Sequence, residues 1–423
     1  MNKRIILFLI LGTLFLSLNA WCADKRPISI DTVLQLAEVN SPGLSASRFH
    51  ELAASKAIDI ARANYFPTIN AEAIDSTGFS GSSGLLGVGG LMGSPYRSGL
   101  SGGLVAQQTI WDFGRTYYDV EANKREAELS QQNTRVTLYQ VKQLALEIYY
   151  ECSFFRSQRD IWAELTHHSA MITKEAQHFV DTGQVSIVDR YLSKAQTEEA
   201  QTAEAFFAER LKKSEQQLAV IMGTSVNFSC PPLPTELTHT LNPNIGIETS
   251  PILARAIVGK KVALARLQQE KAGYYPKIIA IASVGGMQDA SLEKKKEYSA
   301  GIGVILPLVD MHTSGEIQRA KAELSARDQE IEAQKQYLEE MNAKYDTVIY
   351  ASKIRLQHLD SESTLANKAF KTSKERYFSM EGELVDLREA FRNLVRVETA
   401  IQETRMQLLQ ASGSKALLNG AGG

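Results

Sequence analysis

The chain has 423 residues, 44% hydrophobic, 22% charged and 8% aromatic, enough for two or three globular domains of about 150 residues each and unlike a disordered or collagen-like composition. Its 46 Lys and Arg against 48 Asp and Glu leave a formal charge of -2, with no cationic surplus to neutralise a phosphate backbone, so nucleic acid is not an expected partner. Three cysteines, Cys22, Cys152 and Cys230, lack C-x-x-C spacing and are too few for a disulfide scaffold or a Cys-based zinc site, so redox chemistry is not expected.

Residues 1–23 read as a secretory signal: Lys3 and Arg4, an apolar run from Ile5 to Leu18, then the small residues Ala20 and Ala23. The run is too short to span a bilayer. Cleavage after Ala20 or after Ala23 fits, the latter weakened by Trp21 three positions before the cut. Cys22 invites a lipoprotein reading, against which stands Trp21 where a small residue normally precedes a lipidated cysteine. Either way the mature chain is exported.

The mature sequence contains a repeat. Ser41-Pro42 and Ala63-Asn64-Tyr65-Phe66-Pro67 recur as Ser250-Pro251 and Ala272-Gly273-Tyr274-Tyr275-Pro276. Between the prolines of each pair lies a Pro-free stretch that reads as one helix of about 22 residues, opened by proline in its first turn and closed before the next. The first repeat takes 24–223: this short helix, a β-hairpin over 67–110, a long helix over 115–180 and a returning helix over 186–222. A linker, 224–246, joins it to the second repeat, 247–412, with a short helix 251–273, a hairpin 276–309, a long helix 315–378 and a returning helix 384–411. Residues 413–423 read as a flexible tail.

The strand assignment rests on period-two alternation. Tyr298, Ala300, Ile302, Val304, Leu306 and Leu308 form an apolar face, while Ser299, Gly301 and Gly303 form a small or polar one, the pattern of a strand between two different solvents. Residues Lys277 to Val284 alternate less cleanly, and the pair predicts a hairpin with Glu293-Lys294-Lys295-Lys296-Glu297 at its tip. In the first repeat the strands are Thr68 to Thr77 and Gly99 to Ile110, joined by the Gly- and Ser-rich stretch Gly78 to Ser98. Tyr65, Phe66, Trp111 and Phe113, with Tyr274 and Tyr275, flank these strands, as an aromatic girdle at a membrane interface requires. The plainer reading is an aromatic cluster where helices meet a sheet.

The long helices follow from two runs without Pro or Gly, Arg115 to Val180 and Glu316 to Glu381, each about 65 residues or about 100 Å. Along the second, Ile317, Leu324, Ile331, Leu338, Tyr345, Ser352, Leu359 and Ala366 recur every seven residues, which predicts supercoiled packing. Gly183 and Ser186 mark the first turn as a helix stop and an N-cap.

The duplicated Ser-Pro, the Ala-x-aromatic-aromatic-Pro entrances, Thr109-Ile110-Trp111-Asp112-Phe113-Gly114-Arg115 and Gly183-x5-Asp189 together resemble the outer-membrane efflux protein (TolC) family over nearly the whole mature chain. The resemblance implies a mainly α fold with a membrane β-barrel portion: duplicated long helical hairpins forming a periplasmic tunnel, and four strands per chain that make a twelve-stranded barrel in a homotrimer. It also implies an outer-membrane exit duct with no cofactor, serving a periplasmic adaptor protein and an inner-membrane transporter to expel small toxic compounds. A type I protein secretion outlet and, in another class, a soluble periplasmic coiled-coil scaffold are the alternatives. Two departures stand out. Asp310 is not followed closely by glycine, which comes only at Gly315, and Met380 occupies the position of Gly183, with Gly382 two residues later.

The resemblance places Asp386 and Glu389, three residues apart on one helix face, in an acidic ring at the periplasmic entrance. The alternative is an exposed helix start, where acids are favoured anyway. It places Gly183, Gln184, Val185, Met380 and Gly382 at an adaptor-docking tip, or, more plainly, in helix-hairpin turns. His167, His168 and His178 read as a solvated helix face rather than a metal site, and Gly87-Val88-Gly89-Gly90 lacks the Lys-Ser/Thr of a phosphate loop. No nucleophile and base pair is evident, so catalysis is not expected.

Overall fold

The computed structural model describes residues 26–76, 99–234, 246–289 and 294–421; the signal segment, Cys22 and the stretch Gly78 to Ser98 lie outside the described residues. In chain order the elements are β1 (Arg26–Pro27), α1 (Ile30–Asn40), α2 (Pro42–Ala63), β2 (Thr68–Ser76), β3 (Gly99–Trp111), α3 (Arg115–Asp181), α4 (Ile187–Met222), β4 (Phe228–Ser229), α5 (Pro251–Ala272), β5 (Lys277–Asp289), β6 (Lys294–Ile305), α6 (Met311–Phe378) and α7 (Leu384–Leu418). The duplication is visible in the lengths: α2 and α5 have 22 residues each, α3 and α6 have 67 and 68, and α4 and α7 have 36 and 35.

The chain divides into two compact units, one of Gly43–Thr137 with Ile247–Leu338, the other of Met1–Pro42, Leu138–Gly246 and Glu339–Gly423. In the first unit four antiparallel strands form a sheet in the order β2-β3-β5-β6, so β3 and β5 join the two repeats while β2 and β6 are open edges. The register places Ile69, Leu104, Ala106, Ala282, Val284, Tyr298, Ala300, Ile302 and Val304 on one face. Asn70, Glu72, Gln107, Thr109, Ser283 and Ser299 lie on the other, where the two serine hydroxyls are 2.7 Å apart. Where β3 meets β5, Gly102 and Gly103 pair with Gly286 and Gly285. A Cβ on Gly103 would sit 2.6 Å from the Val284 carbonyl oxygen, so these strands approach as only glycine permits. β6 begins at Lys294, paired with Gln288, so Lys294 to Glu297 extend the strand rather than forming the hairpin tip expected from sequence.

The second unit is helical. One core cluster brings Val33, Leu34 and Ala37 of α1 against Leu146, Tyr149 and Cys152 of α3, Leu218 and Met222 of α4 and Leu417 of α7. A second joins Leu165, Ile172 and Phe179 of α3, Leu359, Phe370 and Tyr377 of α6, and Leu384 to Ile401 of α7. Every heptad position expected along α6 is buried or half-buried, with Leu338 fully buried and Ala366 nearly so, because a seven-residue period keeps one seam facing its partners over the full helix.

Two expectations are corrected. The tail is not flexible where it is described: α7 runs through Gly413 to Leu418, and Ala416, Leu417 and Leu418 are buried. A Cβ on Gly413 would lie 2.5 Å from Leu146 Cδ1, so the glycine serves close helix packing. The cysteines also do more than their count suggested, since Cys152 of α3 and Cys230 form a disulfide with Cα atoms 6.0 Å apart. The described part of the inter-repeat segment, 224–234, is thereby fixed along α3. It pairs in parallel with Arg26–Pro27 through Phe228–Ser229 and is held by the Leu233 N–H donating to Ser157 Oγ at 2.9 Å. Closing a separation of 78 residues restricts the unfolded chain strongly. Replacing both cysteines by serine is expected to cost about 2–4 kcal/mol, read as a lower midpoint in denaturant, with the fold retained; an unchanged midpoint would show that the bridge contributes nothing.

Candidate functional site

The two helix turns are built alike despite their different sequences. After α3, Gly183 takes a left-handed φ of 71°, its N–H bonding Val180 O, and the Gln184 N–H reaches back to Phe179 O at 2.8 Å. After α6, Met380 has φ 60°, its N–H bonds Tyr377 O, and the Glu381 N–H reaches back to Arg376 O at 2.8 Å. Both are the helix-ending motif that satisfies orphan carbonyls through one left-handed residue. Met380 therefore replaces glycine in sequence without changing the turn. The Arg376 guanidinium adds a bond to Glu381 O at 3.0 Å. A non-glycine residue in this region carries about 1–2 kcal/mol of steric cost, so Met380→Gly is expected to stabilise the chain by up to that amount, measurable as a raised denaturation midpoint. A lowered midpoint would mean that the Met380 side chain contributes more than its backbone costs.

Ser186 caps α4, accepting from the Val188 N–H at 3.2 Å, while Glu383 occupies the N-cap of α7 without a side-chain capping bond. Gly183 and Gln184 are exposed, as is Met380. Val185 is half-buried against the second core cluster, and Gly382 lies against the Arg376 Cβ. Of the five tip residues, three are thus open to a partner.

Asp386 and Glu389 are both exposed on α7, on the side away from the buried Leu384, Leu387 and Phe391. Neither forms an ion pair within the chain among the described residues. Between them in sequence, Arg388 is half-buried with its Nε lacking a partner among those residues. The equivalent residues of the first repeat differ: Leu192 packs against the apolar cluster, and Asp189 is half-buried. Burial, reinforced by the nearby Glu383 carboxylate, raises the pKa of Asp189 above the usual carboxylate value.

Sequence reasoning missed Tyr377. Its ring is buried, 5.7 Å from that of Phe179 in an edge-to-face pair, and its hydroxyl has no partner among the described residues. Burial, with Asp189 and Glu175 nearby, pushes its pKa up to about 12. The signal was present, since Tyr377 continues a seven-residue spacing from Phe370. His168 corrects another reading. His167 and His178 are exposed, but His168 faces the Phe370 ring at 5.5 Å, and burial together with Lys374 lowers its pKa. No three potential metal ligands converge among the described residues.

In the sheet-bearing unit the six aromatic residues gather at one end of the sheet, where β2 and β5 begin and β3 ends. All six are exposed, and Phe113 joins its rim neighbours by stacking on Tyr275 at 5.6 Å and meeting Trp111 edge to face at 6.1 Å. At the end of β6 the rim is continued by exposed Leu306, Leu308, Val309 and Met311, apolar but not aromatic. Asp112 accepts from the Gly114 and Thr116 N–H groups, and Asp310 from the Thr313 N–H at 3.0 Å, so each aspartate caps a long helix. The bonds from Thr313 hold the Asp310 carboxyl below its ordinary pKa. The missing glycine after Asp310 has a simple consequence: α6 starts at the next residue, whereas Phe113 and Gly114, both left-handed, intervene before α3. A polar cavity of about 480 Å³ lies beneath this rim, lined by Asp112, Arg115, Asp119, Gln269, Lys277 and Asp310 among others.

Among the described residues no helix is long and apolar enough to cross a membrane.

Comparison with known proteins places these features. Residues 33–224 match the family model described as outer membrane efflux protein. No curated protein sequence matches the chain. Among solved structures, CusC superposes with a TM-score of 0.80 at 15% identity, covering 96% of each chain. VceC of Vibrio cholerae gives 0.77 at 14% identity, over 93% of this chain and 96% of its own. The CmeC outer membrane channel of Campylobacter jejuni gives 0.78 at 13% identity, over 93% and 86%. Residues 33–224 are thus similar to the outer membrane efflux protein family by sequence, and by fold the chain matches these solved outer-membrane proteins over more than nine-tenths of its length.

Proposed function

We propose that three copies of this chain close a twelve-stranded barrel in the outer membrane, continued by a periplasmic helical tunnel, and that the assembly is the passive exit duct of a tripartite efflux system. The observation that carries this reading is the sheet. It has two open edges, β2 and β6, and an apolar face on which Ile302 and Tyr298 are 76% and 90% exposed. Unpaired backbone groups in lipid cost several kcal/mol each, so four strands cannot enter a membrane unless other copies supply the missing partners. A soluble scaffold would expose this apolar face to water with no compensation.

Asp386 and Glu389 then form acidic rings at the periplasmic entrance, which select cations and hold the constriction together with basic groups such as Arg388. Gly183, Gln184 and Met380 present the tip to an adaptor protein, and the energy comes from an inner-membrane transporter. The transported species are small toxic compounds, with protein secretion as the competing cargo.

The test is membrane fractionation of the mature protein, followed by light scattering of the detergent-extracted species, corrected for bound detergent. A trimer found in the outer membrane supports the duct; a monomer or dimer released without detergent overturns it. Cargo is decided separately, by whether deletion sensitises cells to small toxic compounds or stops export of a protein.

A further inference from the structure

The polar cavity beneath the aromatic rim is lined by opposite charges that do not meet. Its walls come from the start of α3, the end of α5, the start of α6 and the adjoining strand ends, all within one compact unit of the chain. Asp119 is neutralised there by Arg266, whose Nη1 lies 3.3 Å away, and it also accepts from Gln269 at 2.9 Å. The other two carboxylates have no cation. Asp112 accepts from the Gly114 and Thr116 N–H groups at 3.2 and 2.8 Å, and Asp310 from the Thr313 N–H at 3.0 Å. Lys277, half-buried, and Arg115, exposed, line the same space, and neither is ion-paired among the described residues. Ion pairing at contact is favourable, so the separation of these groups leaves both signs available to a ligand. The volume of about 480 Å³ falls among small-molecule sites, which span about 300–1,000 Å³.

Charge and position narrow the ligand. The N-termini of α3 and α6 each add roughly half a positive charge, so two cations and two carboxylates leave the cavity about one positive charge in excess. A phosphate monoester carries about -1.5 to -2 at pH 7, and with one ammonium attached its net charge is the complement. Lys277 lies on the same face of β5 as Ser283, and Thr109 of β3 shares that polar face. The cavity therefore belongs to the side opposite the apolar face, and its ligand comes from water. We infer that it binds a small phosphorylated primary amine, with the phosphate on Lys277 and Arg115 and the ammonium between Asp112 and Asp310. Charge-assisted bonds of this kind are roughly twice as strong as neutral ones. A primary ammonium offers three donors, and each aspartate keeps lone pairs beyond those given to the backbone. The inference goes beyond the duct reading and stands without it, since one copy supplies the whole lining.

The detergent-extracted full chain is titrated calorimetrically with O-phosphoethanolamine, inorganic phosphate, ethanolamine and a short-chain phosphatidylethanolamine. O-phosphoethanolamine is expected to bind at least about tenfold more tightly than phosphate or ethanolamine, each of which lacks one charged contact. K277Q and D310N should each weaken it by about tenfold or more, while K271Q, the same change at an exposed lysine outside the cavity, should not. Asparagine is also a good N-cap, so D310N keeps the start of α6. No binding to the wild type, or equal binding in K277Q and D310N, would overturn the inference. Phosphate binding as tightly as O-phosphoethanolamine would reduce the cavity to an anion site, and tighter binding of the lipid would assign it to a headgroup; either result overturns the inference. The ligand series on the wild type decides the matter even where a variant fails to fold.

Discussion

Replacing Asp386 and Glu389 together by alanine is expected to raise single-channel conductance in planar bilayers and to lower cation selectivity. Both carboxylates are exposed on α7, and neither is held by an ion pair within the chain among the described residues, so their charge is available to an aqueous entrance. The structural cost is small. Asp386 sits in the first turn of α7, where losing an acid costs about 0.3–1 kcal/mol through the helix dipole, and alanine is the best helix former. The buried residues beside them, Leu384, Leu387 and Phe391, are untouched, so the packing that positions the turn survives. If three copies assemble as proposed, the change removes six carboxylates from the entrance, together with any bonds they make to Arg388 of a neighbouring copy. Clefts lined by one sign of charge raise local counter-ion concentration by about tenfold or more, so the permeability ratio for cations over anions should fall by about that factor. Unchanged conductance and selectivity would remove these residues from the entrance. The single variant Leu192→Glu, which would introduce the acid missing from the first repeat, is unsuitable as a mirror test because Leu192 packs against the core cluster.

The architecture was legible because it rests on periodicity and punctuation, which are local. Proline pairs fixed the ends of α2 and α5, period-two alternation marked β6, and the seven-residue spacing marked the seam of α6, each reflecting a side chain's access to one environment or another. What was illegible depends on contacts across long sequence separations. The Cys152–Cys230 bridge joins residues 78 apart with no spacing rule to announce it. Gly413 looks like a breaker in sequence, yet it lies inside α7 where Leu146 comes close. His168 and His167 are adjacent in sequence, and only the presence of α6 beside the helix decides that one faces Phe370 while the other faces water. At the tip, both turns were legible as turns, but the equivalence of Met380 with Gly183 was not. A methionine gives no sign of a left-handed φ; the backbone adopts it because the hydrogen bonds at the end of α6 and the burial of Tyr377 over-determine the turn.

Substituting Gly183 by tryptophan is expected to abolish efflux while leaving folded trimers in the outer membrane. The backbone at Gly183 has φ 71°, so any side chain there carries about 1–2 kcal/mol of strain. Met380 shows that this chain tolerates such a residue in the same motif. A Cβ at Gly183 meets nothing within 4 Å, so the indole would project outward without disturbing Phe179, Tyr377 or the rest of the core. The damage should therefore fall on whatever docks against the turn. An interface packed to interior density accepts an inserted ring at the cost of separating its surfaces, which forfeits neighbouring contacts as well. Gly183→Ala carries the same backbone strain without the bulk, and is expected to retain efflux. Efflux measured in cells that also make the adaptor and transporter, alongside trimer recovery from the membrane, distinguishes the causes. Loss in the tryptophan variant alone places a partner on this turn. Loss in both variants would attribute the effect to the strained backbone, and normal efflux in the tryptophan variant would place adaptor docking elsewhere.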